Sequence, residues 1–165
     1  MDKLEIKATL SATDAGEITG IAWPFGEGPD KYGDVIAKGA FNIPYPDIPI
    51  LVGHKADDLV GTWHEVKETD EGLVVKGQLH MDRPRARSVL TMIKSGILKG
   101  LSIGFYTKAA TKQGRNRLIT ALDVVETSLT GNPAHPRARI ISAKQFNSAS
   151  AIAAALNRAA AHFAK

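Results

Sequence analysis

The sequence predicts a mainly β domain with flanking helices, an α+β fold, on three observations. Most of the first 80 residues reads as strand and turn, beginning with a period-two alternation at residues 4–8, one segment after Asp82 takes the spacing of an amphipathic helix, and Gly and Pro punctuate residues 25–49. At 165 residues the chain forms one domain of ordinary size, whose core needs neither metal nor disulfide.

Residues 4–8 (Leu-Glu-Ile-Lys-Ala) alternate as a half-buried strand does, and residues 16–23 read as a second strand, stopped by Pro24. Residues 25–49 hold Gly26, Gly28, Pro29, Gly33, Pro44, Pro46 and Pro49, which predicts a long irregular excursion over the surface. A hairpin follows, from Val60 to Val66, through the turn Thr69-Asp70-Glu71-Gly72, and back along residues 73–79. Val89, Met92, Ile93 and Ile97 then give helical spacing over residues 83–95, with Asp82 as N-cap, Pro84 in the first turn and Gly96 as the C′ residue. Strands are expected again at 100–107, at 117–130 (one or two) and at 137–142, with a turn at 112–116. Nine of the last seventeen residues are Ala, and Ile152, Leu156, Arg158 and Phe163 leave a narrow stripe, so residues 148–165 read as a helical tail on a domain of residues 1–147.

Composition excludes several function classes. The absence of Cys removes a disulfide scaffold, a thiolate metal site and a thiol nucleophile, and is compatible with a reducing compartment. Lys plus Arg is 21 against 17 acidic residues, a net charge of +4 that is scattered rather than blocked, and aromatics are only 6%. Neither points to nucleic acid, even with Arg83, Arg85, Arg87, Arg115 and Arg117 as the obvious basic set. The N-terminus lacks the apolar core of a signal peptide and no apolar run approaches the roughly 18 residues of a membrane span, so a soluble, cytosolic protein is expected.

Gly100-Leu101-Ser102-Ile103-Gly104 has the Gly-x-Ser-x-Gly form of a nucleophile elbow. With 15 Gly and 8 Ser in the chain, about 0.06 such motifs arise by chance, so a strand with small residues for close packing is an equal reading. A serine nucleophile needs a histidine base. His54 stands where a short apolar strand exits into a polar loop; His64 lies in a strand beside Trp63, His80 ends one, His135 sits between Pro133 and Pro136, and His162 is in the tail. Glu126 is a candidate orienting acid, because a carboxylate among apolar and β-branched neighbours is costly to bury unpaired. Strand parity groups it with Val124 and Ser128, opposite Asp123, Val125 and Thr127. His54, Asp57, Asp58, His64 and His80 could in principle ligate a metal, but no pair has a tight ligand spacing, and no metal or other cofactor is expected.

Three segments taken together carry a resemblance: Gly53-His54-Lys55-x-Asp57, Gly100-Leu101-Ser102-Ile103-Gly104-Phe105, and Glu126-Thr127-Ser128-Leu129-Thr130 followed by Pro133-Ala134 and Ala138. In this order and spacing, across roughly residues 4–142, the chain resembles the prohead maturation serine proteases of tailed phages, relatives of the herpesvirus assemblins. The resemblance implies a closed β-barrel of the herpesvirus-protease type wrapped by helices. It also implies a catalytic set of Ser102 as nucleophile, His54 as base and Glu126 as third member, with oxyanion donors near residues 133–139, helped by Arg137 or Arg139. The Thr127 that follows Glu126 departs from the Val more usual there. The implied activity is endoproteolysis inside the immature procapsid in the host cytoplasm. Its substrates would be scaffolding protein, the scaffold-like part of the major capsid protein and the enzyme itself, and the enzyme would be a homodimer.

Two other readings follow from the residues. Ser102, Glu126 and His135 stand in the chain order of an α/β-hydrolase esterase, though only one clear helix precedes the tail. A barrel that binds scaffold without catalysis is the other. If His54 is an unperturbed base, activity rises through a pKa near 6.5.

Overall fold

The structure, a computed structural model, describes residues 13–140. In chain order the elements are β1 (Glu17–Pro24), β2 (Asp34–Ile36), β3 (Phe41–Asn42), β4 (Ile48–Val52), β5 (Lys55–Glu68), β6 (Gly72–Leu79), α1 (Pro84–Lys94), β7 (Gly100–Gln113), β8 (Asn116–Thr130) and β9 (Arg139–Ile140). The expected strand at 4–8, the end of the one at 137–142, the 147/148 boundary, the Ala-rich helix and His162 lie outside the described residues.

Seven strands close a barrel in the order β8-β4-β5-β6-β1-β9-β7, with β7 pairing back onto β8. Closure removes the free sheet edges that a half-apolar sheet would otherwise present. β7 and β8 form one long antiparallel hairpin, from Gly100 opposite Thr130 to Gln113 opposite Asn116. The other edge of β8 is shared in sequence by β2, β3 and β4, all parallel to it. The stretch 25–49 is therefore not wholly irregular: two short strands and the start of β4 punctuate it. Pro44 and Pro46 follow β3 and lack the N–H that would extend its ladder.

The core fills the barrel and continues under α1, joining Ile18, Trp63, Leu73, Leu101 and Leu129 to Ala86, Val89, Leu90 and Ile93. α1 lies on β5 and β6. Its stripe is set about one turn earlier than the sequence predicts, because the helix stops at Lys94 and leaves Ile97 61% exposed beyond it. Arg83, not Asp82, occupies the N-cap position, without a side-chain cap bond, and Pro84 supplies the first turn. Gly96 follows the C-cap with φ +81°, as a C′ glycine does.

Along β8 the buried residues that face the barrel are Ile119, Leu122, Val124, Thr127 and Leu129, a spacing that strict alternation forbids. Cross-strand pairing explains it: Ala121 and Ile119 face the consecutive residues Ala109 and Ala110, and Glu126 and Val124 face the consecutive residues Gly104 and Phe105. Thr120 and Val125 are thus bulged, and each bulge moves the following side chains to the opposite face.

Candidate active site

Ser102 is the third residue of strand β7, within its continuous pairing to β8, so the Gly-x-Ser-x-Gly segment is not an elbow. Its glycines serve close packing: the ring of Pro133 lies where a Cβ on Gly100 would go, and the Glu126 carboxylate lies where a Cβ on Gly104 would go. Leu101 and Ile103 point into the core and pair with Leu129 and Thr127. Ser102 and Gly104 therefore face outward, opposite Ser128 and Glu126. The bulge at Val125 corrects the parity reading: Glu126 shares a face with Ser128 but not with Val124, which is fully buried in the core. Without that extra residue, a strand whose Val124 is in the barrel would also turn Glu126 inward.

His54 reaches this face from the β4–β5 connection. Val52 pairs with Lys55, leaving a two-residue turn of Gly53 and His54 at φ +60° and +61°. Two successive positive φ values suit the tight turns that match strand twist, and histidine tolerates this region better than most side chains. The turn is fastened to β8, since the Gly53 N–H donates to the Leu129 carbonyl at 3.0 Å. The His54 N–H donates to Ser128 Oγ at 3.0 Å.

The side chains then form a chain of hydrogen bonds. His54 Nε2 lies 2.9 Å from Ser102 Oγ, and His54 Nδ1 contacts Glu126 Oε1. The Ser128 hydroxyl donates to Glu126 Oε2 at 2.8 Å, so both carboxylate oxygens are engaged. An Nδ1–H held by Glu126 leaves the Nε2 lone pair facing the Ser102 hydroxyl. The hydrogen bond from Glu126 lifts the His54 pKa above its ordinary 6.5, against the opposing pull of burial and of the Lys31 charge. The His54 side chain is 45% exposed while that of Glu126 is 14% exposed, which suits a base open to substrate and oriented by a largely buried acid.

The sequence-derived residues His54, Ser102 and Glu126 thus converge. Ser128, fully buried, completes the set and was visible beforehand only as a residue on the Glu126 face. His135 does not join them. It is 1% exposed, packs edge-on against Trp23 with centroids 4.8 Å apart, lies 3.2 Å from the Gly28 carbonyl through Nε2, and accepts the Arg137 N–H at Nδ1. That excludes the hydrolase order built on Ser102, Glu126 and His135. The possible metal ligands also diverge, with Asp58 held by Arg85 at 2.8 and 2.5 Å and His80 3.1 Å from the Thr62 hydroxyl.

A cleft of about 200 Å³ opens beside Ser102 and His54, bounded by Phe105, the Asp30–Asp34 loop, Asn132 and Ala134. Arg137 and Arg139 do not line it: the first approaches Glu27 at 4.0 Å and the second bonds the Ala138 carbonyl.

The chain is similar to known proteins to different depths. The family described as caudovirus prohead serine protease matches residues 2–151. The chain is 39% identical over 113 residues to a capsid polyprotein of Pseudomonas phage PAJU2, covering 64% of this chain and 16% of that protein. It is 32% identical over 109 residues to a prohead protease of Enterobacteria phage HK97, covering 63% of this chain and 48% of that protein. Both relatives are thus longer than the part matched here. Among solved structures, KSHV protease in complex with a hexapeptide phosphonate inhibitor superposes with a TM-score of 0.53 at 14% identity, over 88% of this chain and 76% of the other. That likeness is one of fold, and the barrel is of the herpesvirus-protease type.

Proposed function

This chain belongs to the caudovirus prohead serine protease family, and we propose that it is a serine endopeptidase of capsid maturation working through Ser102, His54 and Glu126. The observation that carries the reading is the line of contacts Ser102 Oγ–His54 Nε2 and His54 Nδ1–Glu126 on one outer face of the barrel. His54 takes the Ser102 proton as Oγ attacks the scissile carbonyl, then returns it to the leaving amine. Glu126 fixes the tautomer and stabilises the imidazolium, remaining ionised throughout. A water activated by the same histidine releases the acyl group. Ser128 is a positioning residue, since one hydroxyl holds both the Glu126 carboxylate and the backbone of the His54 turn.

The likeness to a stretch of a capsid polyprotein and to a prohead protease supports capsid and scaffolding proteins as substrates, met within the procapsid. A homodimer belongs to the same proposal, and sedimentation tests it. The chemistry is tested by fluorophosphonate labelling with the adduct located by peptide mass spectrometry. An adduct on Ser102 that disappears in Ser102→Ala, falls strongly in His54→Ala and persists in His135→Ala is expected. Complete absence of labelling would favour a barrel that binds capsid proteins without cutting them.

A further inference from the structure

A second, larger cavity of about 470 Å³ lies between the β2 region and the tip of the β7–β8 hairpin. Tyr32 and Asp34 line both it and the catalytic cleft, so the two cavities adjoin at these residues and outline a groove. Tyr32 is 73% exposed at the junction, an aromatic face open to a passing chain. Ser102 in the cleft and Lys112 in the second cavity stand ten residues apart on β7, which at strand rise separates them by roughly 30–35 Å, or about nine or ten residues of extended peptide.

The charges along this groove are not balanced. Asp30 is 9% exposed, and its Oδ1 accepts the Tyr32 and Asp34 N–H groups at 2.9 Å each, so it is spent on the loop. Asp34 is held by a bidentate Arg117 at 2.8 and 2.7 Å. What remains is Lys31, which lies over the Tyr32 ring at 5.2 Å, and then Lys112 and Arg115, which have no acidic partner among the described residues. The acids are committed internally and the three remaining groups are cations.

We propose that this groove is an extended substrate subsite, and that it selects polypeptides carrying Asp or Glu about nine or ten residues to one side of the scissile bond, engaged by Lys112 and Arg115. The proposal rests on the endopeptidase reading and deepens it by naming a substrate class. Adjacency to the cleft beside Ser102 favours a peptide over a nucleic acid as the occupant, because only a peptide has reason to occupy both ends at once.

The test uses the full chain and a peptide library of mixed sequence, with cleavage products read by mass spectrometry. Wild type is compared with the Lys112→Glu/Arg115→Glu double variant, and fluorophosphonate labelling of Ser102 is followed in both. The best-cleaved peptide is then remade with its distal acids as amides, and the acid-to-amide ratio of kcat/KM is measured within each protein. For wild type a ratio of about fivefold is expected at low salt, carried by KM and shrinking towards one at high salt; in the double variant it falls to one or inverts. Because each ratio is internal, a partly unfolded variant does not alter it, and the salt dependence of wild type stands without any variant. Labelling of Ser102 with cleavage indifferent to distal acids overturns this inference and leaves the enzyme intact. A charge reversal that changes only the binding of duplex DNA also overturns it. Absence of both labelling and cleavage overturns the endopeptidase reading and this one together.

Discussion

The β7–β8 hairpin is two different objects along its length. At its base, residues 100–104 face residues 126–130, one side of the ladder is buried in the barrel, and Ser102 is only 5% exposed. At its tip, every β7 residue from Thr107 to Gln113 is exposed, although the antiparallel pairing is continuous. Backbone pairing is therefore not what makes the site. Packing is: at the base the inward residues fix where the outward ones stand, and partial burial strengthens each hydrogen bond among Ser102, His54, Glu126 and Ser128. At the tip no core packing fixes the β7 side chains and solvent screens their charges, so that end suits loose electrostatic selection rather than chemistry.

If the comparison is right, substitutions of similar size should differ in consequence according to where along the hairpin they fall. The largest effect is expected from Glu126→Gln, which keeps the shape of the base and removes the charge. A loss of about 10³-fold or more in kcat is expected, with little change in thermal midpoint, measured by peptide hydrolysis beside a melting curve. A small loss would mean that Ser128 and the turn alone orient His54.

Gly104→Ala comes next. Its new Cβ lands on the Glu126 carboxylate, a side chain that can move aside, so the barrel should persist while the acid shifts. Activity should fall about 10- to 100-fold, as misplacements of this order do. Wild-type activity would show that the carboxylate tolerates displacement.

The pH dependence sharpens the comparison further. Because the folded His54 pKa is raised above 6.5, the stability this group contributes is fully present below 6.5 and is lost as pH rises through the raised value. Activity runs the other way, since the base must be neutral: kcat/KM should climb through a midpoint above 6.5, not at the unperturbed value the sequence alone suggests. Removing Glu126 should bring that midpoint down, and an unmoved midpoint would assign the titration to another group.

The smallest effect is expected at the tip. Gly114 sits at φ +61° with open space around it, so Gly114→Ala costs only backbone strain, about 1 kcal/mol in a urea melt, with fluorophosphonate labelling unchanged. A larger loss would mean that the tip is coupled to the barrel after all.

Much of this was legible in the chain itself. Apolar runs bounded by Gly, Pro and turn residues marked β1, the β5–β6 hairpin, β7 and β8, and a 3.6-residue period marked α1, because a helix on the barrel buries one face and the pattern records which. The residues His54, Ser102 and Glu126 were legible through three short segments whose order and spacing together are restrictive. What the sequence could not supply was the face on which each stands. Bulges leave no local signature, because an extra residue is defined only against the partner strand. Val125 therefore read as one more alternating position, and Val124 was grouped with Glu126. The positive φ of His54, the role of Ser128 and the dismissal of His135 have the same origin. Each depends on β4 lying parallel to β8, or on Trp23 and the Gly28 carbonyl enclosing a ring more than a hundred residues away. Local chemistry determined which groups could react; cross-strand register, which closes only when the barrel does, decided which of them meet.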